Sequence, residues 1–198
     1  MIKKEQILDR AFEMVSTKGV KALNMGDLAS SLKISKKTLY GYFSNKKTLL
    51  HDSMVYGLNY YYDRVNKIAI CMPNPLVGMV FIITENVKFY YSVSDTFLDD
   101  LKVTSCVGDY IKDVKQKLVT IIDEFVIKCI KEGLIQQTNT SDYIIQIFKG
   151  NIPTLLKQRG KREEYNSHLI FDVVISLLST VCTSDGKEVL TELKNNYT

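Results

Sequence analysis

Residues 24–43, NMGDLASSLKISKKTLYGYF, contain two short helical patterns with a polar turn between them. Asn24 and Ser35 each stand directly before one pattern, and their side chains are of the kind that caps a helix by accepting hydrogen bonds from free backbone amides. The spacing predicts one helix from residue 25 to about residue 32 and a second from residue 35 to residue 42. The apolar residues that would pack this pair against a third helix are Leu28, Leu32, Ile34, Leu39 and Phe43. The pattern is that of a helix-turn-helix.

The flanking residues supply the helices that such a pair needs for support. Residues 5–17 place apolar side chains on one helical stripe, and Gly19 is a natural stop after Lys18. Ser44 is expected to cap a long fourth helix that begins at Asn45 and continues to about residue 70.

Positive charge is concentrated in this part of the chain. Residues 1–50 carry ten Lys or Arg and four Asp or Glu, whereas the remaining 148 carry sixteen and eighteen. The first part is therefore net +6 and the rest net −2, although the whole chain is only +4. A basic N-terminal quarter indicates a polyanionic partner for that end. The alternative is an ordinary solvated charged surface.

The second helix of the pair has the chemistry of a surface that contacts double-stranded DNA. In a helix-turn-helix this element enters the major groove, where lysines suit phosphates and hydroxyls reach phosphates or base edges. Gly41 either permits close backbone approach or marks a frayed helix end. A lysine at the start of the fourth helix would clamp a further phosphate. The candidate contacts are Asn24, Ser35, Lys36, Lys37, Thr38, Tyr40, Gly41, Tyr42 and Lys46.

The rest of the chain predicts longer helices and no strands, so the fold class is all-α. Pro73-Asn74-Pro75 ends the fourth helix, and Pro153 should kink or divide the helix around it. The expected helices cover about 76–93, 95–105, 108–132, 141–158, 164–182 and 186–195. We expect two domains, a DNA-binding domain over residues 1–46 and a helical domain over residues 47–198.

The first 50 residues resemble a known family. The stretch ILDRAFEMVSTKGVKALNMGDLASSLKISKKTLYGYFSNKKTLL is similar to the N-terminal domain of TetR-family transcriptional regulators. The similarity includes the glycine after the first helix, the Leu-Tyr-x-x-Phe ending of the recognition helix and the lysine that opens the fourth helix. The chain differs at Lys37, where the family often has glycine, and at Gly41, where it often has a bulkier residue.

The resemblance implies a homodimeric repressor or activator. Its C-terminal domain would bind an effector and dimerise through the last two long helices, and no cofactor is implied. In such a protein Tyr42 occupies the place of a phosphate contact. A palindromic, inverted-repeat operator and a small apolar or amphipathic effector follow as expectations.

Aromatic residues in the C-terminal part fit either a ligand cavity or an ordinary helical core. The candidate ligand contacts are Tyr60, Phe89, Tyr90, Phe97 and Tyr110. Residues 169–181 are apolar around most of a helix, which indicates burial on more than one side, as in a dimer. The candidate interface residues are Phe148, Phe171, Val174, Leu177, Leu178 and Val181.

Other classes of function lack their motifs. His51 and His168 are isolated, no metal-ligand spacing or phosphate-binding loop occurs, and an enzyme, a metal site and a cofactor are not expected. The four cysteines, without a CxxC pair, are expected to be buried free thiols in a reducing cytoplasm. No signal peptide or membrane segment is indicated. The remaining alternative is an architectural or cell-division factor of the same fold whose C-terminal domain binds a protein partner.

Overall fold

The computed structural model describes residues 2–103, 105–138, 142–148 and 167–197. These residues form helices and the connections between them, with a single isolated β-bridge that joins Ile135 and Cys182. The predicted all-α class is therefore confirmed. The chain divides into two compact units, which we call unit 1 (Met1–Asp63 and Ser92–Lys115) and unit 2 (Arg64–Tyr91 and Gln116–Thr198).

The N-terminal helices agree with the sequence to within a residue or two. They are α1 (Lys4–Lys18), a 3-10 turn (Val20–Ala22), α2 (Met25–Ser31), α3 (Lys36–Tyr42) and α4 (Lys46–Ile70). One cap differs from the prediction. The backbone N–H of Thr48 donates to Asn45 Oδ1 at 2.9 Å, so Asn45 rather than Ser44 caps α4, and the helix starts one residue later than expected.

The later helices are α5 (Pro75–Ser92), α6 (Asp95–Val103), α7 (Ser105–Lys131), α8 (residues 142–148), α9 (Ser167–Ser179) and α10 (Ser184–Tyr197). The predicted helix over 164–182 ends at Ser179, because residues 180–183 turn and pair with residues 134–136 through backbone hydrogen bonds. The predicted kink at Pro153 lies outside the described residues.

Unit 1 is organised around the apolar stripe of α1. Ile7, Ala11 and Val15 are fully buried, and Leu28, Leu39 and Phe43 bury the inner faces of α2 and α3. The other two predicted packing residues, Leu32 and Ile34, are only half-buried. A Cβ added at Gly57 would clash with the ring of Phe12, so glycine lets α4 approach α1 closely. This packing holds α3 with its opposite face exposed.

Unit 2 has its own core. Ala69 at the end of α4 and the apolar face of α5 are buried, together with Phe125 of α7 and Val174 and Leu178 of α9. The pairing between residues 134–136 and 181–183 closes the end of α7 onto the start of α10. Cys129 and Cys182 are buried free thiols here, as predicted, but Cys71 is exposed because it follows the last turn of α4.

No single helix among the described residues is both long and apolar enough to cross a membrane. Within the same described ranges, one sharply bent pair, Pro75–Ser92 with Asp95–Leu101, reaches that length and composition.

Candidate nucleic-acid interface

The start of α3 is fixed by its first residues. The Thr38 backbone N–H donates to Ser35 Oγ at 3.0 Å, and the two hydroxyl oxygens are 2.8 Å apart. Ser35 therefore satisfies one of the free amides of the helix. Both side chains are exposed. The hydroxyls that the sequence assigned to DNA contact are held in place at the N-terminal end of α3.

The turn between α2 and α3 sets the direction of α3. Lys33 has a positive φ of 55°, which is uncommon for a residue other than glycine, and the backbone N–H of Ile34 donates to the Ala29 carbonyl at 3.0 Å. The N–H of Lys33 donates to the Ser30 carbonyl at 3.1 Å. These bonds close the end of α2 and tie α3 to it. The helix pair is thus a structurally defined helix-turn-helix.

The outer face of α3 is basic and polar. Leu39 is fully buried, whereas Lys36, Lys37 and Gly41 are exposed and Tyr40 is 51 % exposed. The buried inner face matches the apolar residues of the sequence pattern, and the exposed outer face matches its basic and polar residues.

Beside this face lies a concave site that we call the lysine cleft. Asn24 Oδ1 accepts from the Gly26 N–H at 2.7 Å, which fixes the start of α2. The Lys36 side chain crosses Gly26 so closely that a Cβ there would lie 2.9 Å from Lys36 Cε and 3.1 Å from Nζ. The cleft is lined by Lys21, Leu23, Asn24, Met25, Gly26, Lys36, Tyr40 and Lys46.

The lysine cleft brings Lys21 into the site, a residue that the sequence analysis missed. Lys21 lies in the 3-10 turn, Lys36 in α3 and Lys46 at the first residue of α4. Within the described part of the chain, none of these three lysines has a carboxylate partner. Three converging cations suit a phosphate diester.

Tyr42 is placed differently from the other candidates. Its hydroxyl donates to the backbone carbonyl of Ile2 at 2.7 Å, and its side chain is half-buried. The hydroxyl proton is therefore used within the chain, although the oxygen still has capacity to accept a hydrogen bond.

Among the described residues, one histidine lies beside a carboxylate at the surface. His51 Nδ1 is 3.3 Å from Asp52 Oδ1, and Asp52 also pairs with Lys4 at 3.2 Å on the surface. No group of three His, Cys, Asp or Glu that could hold a metal ion occurs among the described residues.

Unit 2 contains an apolar cavity of about 360 Å³. The described residues that line it are Ile83, Asn86, Val87, Tyr90, Tyr91, Leu118, Ile122, Ile144, Ile145 and Phe148. Of the five residues that the sequence proposed for a ligand, Tyr90 is part of this lining. Phe89, its neighbour on α5, is half-buried and is not part of it.

The other three proposed ligand residues belong to unit 1. Tyr60 is 63 % exposed and stacks on Tyr56, whereas Phe97 is 1 % exposed in the core. The Tyr110 hydroxyl donates to the Val55 carbonyl at 3.1 Å. Burial, with a smaller contribution from Asp63, raises the pKa of Tyr110 to about 12.

Most of the proposed dimer residues are buried within the single chain. Val174 and Leu178 are fully buried, and Phe171 and Val181 nearly so. Phe148 and Leu177 are half-buried and pack against Val173. Of the six, these last two keep surface that a second copy could cover.

Comparison with known proteins gives a consistent result. Residues 7–52 match the family model described as bacterial regulatory proteins, tetR family. The biofilm operon icaADBC HTH-type negative transcriptional regulator IcaR of Staphylococcus aureus (strain Newman) is 25 % identical over 142 residues, which cover 65 % of this chain and 74 % of IcaR.

Solved structures share the fold. A TetR-family transcriptional regulator from Marinobacter aquaeolei VT8 superposes with a TM-score of 0.70 at 20 % identity, covering 99 % of both chains. A putative transcriptional regulator from Saccharomonospora viridis, in complex with choline, has a TM-score of 0.73 at 15 % identity and covers 90 % of this chain and 96 % of its own.

The exposed α3 face, its lysine cleft and the matched domain define a helix-turn-helix DNA-binding protein. The resemblance that the sequence indicated is confirmed by the family match over residues 7–52. Residues 7–52 are thus a DNA-binding domain of the tetR family, and the described fold is shared with a TetR-family transcriptional regulator.

Proposed function

We propose that the protein is a homodimeric repressor that binds an inverted-repeat operator and is released by a small apolar or amphipathic effector. In this proposal residues 1–46 bind DNA, and residues 47–198 bind the effector and join the two copies. Repression is supported by the similarity to IcaR, which is named a negative regulator. A regulator of a bacterial promoter acts in the cytoplasm, where the chromosome lies, and no catalytic step is needed.

The observation that carries the DNA-binding role is the lysine cleft beside the exposed face of α3. The cleft gathers cations from three separate elements, so it can hold a backbone phosphate while α3 meets the bases. Each neutralised phosphate releases counterions, which makes such binding weaken steeply as salt is raised. A two-fold dimer presents two such surfaces, and its operator should then be an inverted repeat.

The cavity in unit 2 favours a small effector over a protein partner. Its lining is mostly aliphatic and aromatic, which is typical of small-molecule sites. The similar regulator from Saccharomonospora viridis binds choline, which supports a ligand-responsive role without naming the ligand of this chain.

A single helix offers a route for the response. α4 begins at Lys46 in the lysine cleft and runs unbroken to Ile70, and Val65 and Ala69 near its end are buried in unit 2. A ligand that prefers one tilt of α4 changes the spacing of the two α3 helices. A coupling of about 1–3 kcal/mol would weaken DNA binding by roughly 5- to 150-fold.

The DNA-binding role is tested by selecting operator sequences from a random duplex library and titrating them at several salt concentrations. We expect an inverted repeat to be enriched. Lys21→Ala and Lys46→Ala should each weaken binding to every sequence and reduce the salt slope by about one unit. Thr38→Ala should instead relax the preference at one or two base positions.

Lys117→Ala is the matched control, because Lys117 is an exposed lysine on α7 outside the cleft. It should leave the slope unchanged. If Lys21→Ala behaved like Lys117→Ala, the cleft would not be a phosphate site. Failure to enrich any sequence would contradict the operator proposal.

A further inference from the structure

One face of α5 supplies half of the lining of the unit 2 cavity. Ile83, Val87, Tyr90 and Tyr91 recur at helical spacing along this face, and Asn86 lies among them. Asn86 and the two tyrosines are the polar side chains in the described lining. A tyrosine hydroxyl can both donate and accept, so it does not distinguish donors from acceptors on a guest. The side-chain oxygen of Asn86 only accepts hydrogen bonds, so it can distinguish donors from acceptors on a guest.

The side-chain amide of Asn86 is oriented by its own helix. Its Nδ2 donates to the Ile82 carbonyl one turn earlier, at 2.8 Å. If the amide were rotated by 180°, its oxygen would face the Ile82 carbonyl oxygen. The hydrogen bond therefore places the amide nitrogen toward the helix backbone and the amide oxygen on the opposite side. No described residue donates to Asn86 Oδ1. The residue therefore offers the cavity a fixed acceptor, while one of its two N–H groups is held by the helix.

The described lining of the cavity provides no partner for a formal charge. Its described lining contains no Asp, Glu, Lys, Arg or His. The nearest charged residues along α5, Glu85 and Lys88, pair with each other at 2.9 Å. An ion entering this site would lose hydration without gaining a counter-charge, which disfavours charged guests.

We propose that Asn86 selects the effector: the cavity takes an uncharged molecule with an apolar chain or ring system that presents an O–H or N–H donor to Asn86 Oδ1. Fatty alcohols and neutral long-chain amides are of this class, whereas ethers, esters, carboxylates and quaternary ammonium ions are not. The inference rests on the proposed effector role of the cavity and adds the chemistry of its ligand.

The test compares dodecanol with dodecyl methyl ether on the full chain, by displacement of a fluorescent apolar dye and by isothermal titration. The two compounds have the same dodecyl chain, but only the alcohol can donate a hydrogen bond. One net hydrogen bond of about 0.5–1.5 kcal/mol predicts that the alcohol binds roughly 2- to 12-fold more tightly. Dodecanoate and dodecyltrimethylammonium should bind more weakly than the alcohol.

Asn86→Leu keeps the size of the side chain but removes the acceptor, so the ratio between alcohol and ether should fall to about one. Asn59→Leu is the matched control, because Asn59 lies on α4 outside the cavity lining. It should keep the wild-type ratio. Circular dichroism melting of each variant checks that it folds.

The outcomes separate this inference from the effector proposal. If both compounds bind equally to the wild type, or the ether binds more tightly, donor selection is wrong while the apolar effector site stands. If Asn86→Leu keeps the wild-type ratio, another residue makes the selection. If no neutral apolar compound binds, the effector role of the cavity fails as well, and operator binding is judged independently by the lysine variants.

Discussion

Gly41 is the residue of α3 whose small size the rest of the chain does not explain. It lies near the end of an exposed helical face, and a Cβ added there would meet no atom within 4 Å. Glycine in a helix costs about 1 kcal/mol relative to alanine. The space above Gly41 is therefore open, as the proposed close approach of a DNA backbone to α3 requires.

Gly41→Ala should raise stability and weaken operator binding at the same time. The gain is up to about 1 kcal/mol, because the replacement favours the helix and clashes with nothing. Urea unfolding measures the first effect and operator titration the second. Ser30→Ala, at an exposed position of α2, is the control for a small helical substitution. Unchanged operator affinity would mean that Gly41 only marks the end of α3.

Among the elements, α6 and the residue before it are hydrogen-bonded to the end of α1 and to the 3-10 turn that follows α1. The Ser94 N–H donates to the Ser16 carbonyl at 2.9 Å, and the Val20 N–H donates to Asp100 Oδ2 at 2.8 Å. Gly19 has a φ of +86°, and a Cβ there would lie 2.6 Å from Thr96 Cγ2. The end of α1 and the 3-10 turn after it thus lie in close contact with α6.

Asp100→Ala should destabilise the protein by about 1–3 kcal/mol, because Asp100 is only 7 % exposed and its loss leaves the Val20 N–H without an acceptor. Asp113→Ala, at an exposed position of α7, should stay within about 0.5 kcal/mol of the wild type. Chemical unfolding monitored by circular dichroism compares the two. Equal effects would show that the bond to Val20 contributes nothing measurable.

Two buried thiols flank the backbone pairing that joins the end of α7 to the start of α10. Burial, with smaller contributions from Cys182 and Glu132, raises the pKa of the Cys129 thiol to about 12. Burial raises the pKa of Cys182 to about 11 against a smaller opposing effect of Lys187. The ordinary pKa of a cysteine thiol is 9.0. Between pH 9.0 and the raised pKa values, these two thiols therefore ionise in the unfolded chain but stay protonated in the folded chain.

The stability contributed by these thiols is fully present below about pH 9 and is lost as pH rises toward 11 and 12. Each thiol should lower the free energy of unfolding by about 1.4 kcal/mol per pH unit in this window. Cys129→Ala should flatten the decline, whereas Cys71→Ala should not, because Cys71 is exposed. Unfolding curves at several pH values give the slopes. Parallel slopes for all three proteins would contradict the assignment.

At the scale of the whole molecule, the proposed dimer must use the surface of α8 and α9 that remains after the chain has folded. Val174 and Leu178 are consumed by the core of unit 2. Leu177 and Phe148 keep part of their surface. An interface built here must therefore use the outward edge of α9, not its most apolar face.

Leu177→Arg should yield a folded monomer with weakened operator affinity, because a charge would be buried unpaired in the interface. Thr191→Arg, at an exposed position of α10, is the control for the added charge and should remain dimeric. Val174→Arg should unfold the protein instead. Sedimentation equilibrium distinguishes these results, and a monomeric wild type at micromolar concentration would contradict the proposal.

Local chemistry was sufficient to predict the N-terminal helices and the exposed, basic face of α3. Asn24 and Ser35 cap the helices that follow them, and Leu39 and Phe43 are buried, because caps and helical periodicity act within a few residues. The basic face of α3 could be predicted from the same short stretch of sequence. The prediction that Ser44 caps α4 was wrong, because the neighbouring Asn45 is also a good capping residue and caps the helix instead.

Contacts between distant segments decided the rest. Lys21 joins Lys36 and Lys46 only when three elements converge, and Asn86 lines a cavity because α5, α7 and α8 meet around it. Tyr60 and Phe97 are both aromatic, but Tyr60 lies at the surface of unit 1 and Phe97 lies in its core. Composition determines that such residues favour burial, but which neighbours bury them, and whether space remains, depends on tertiary packing.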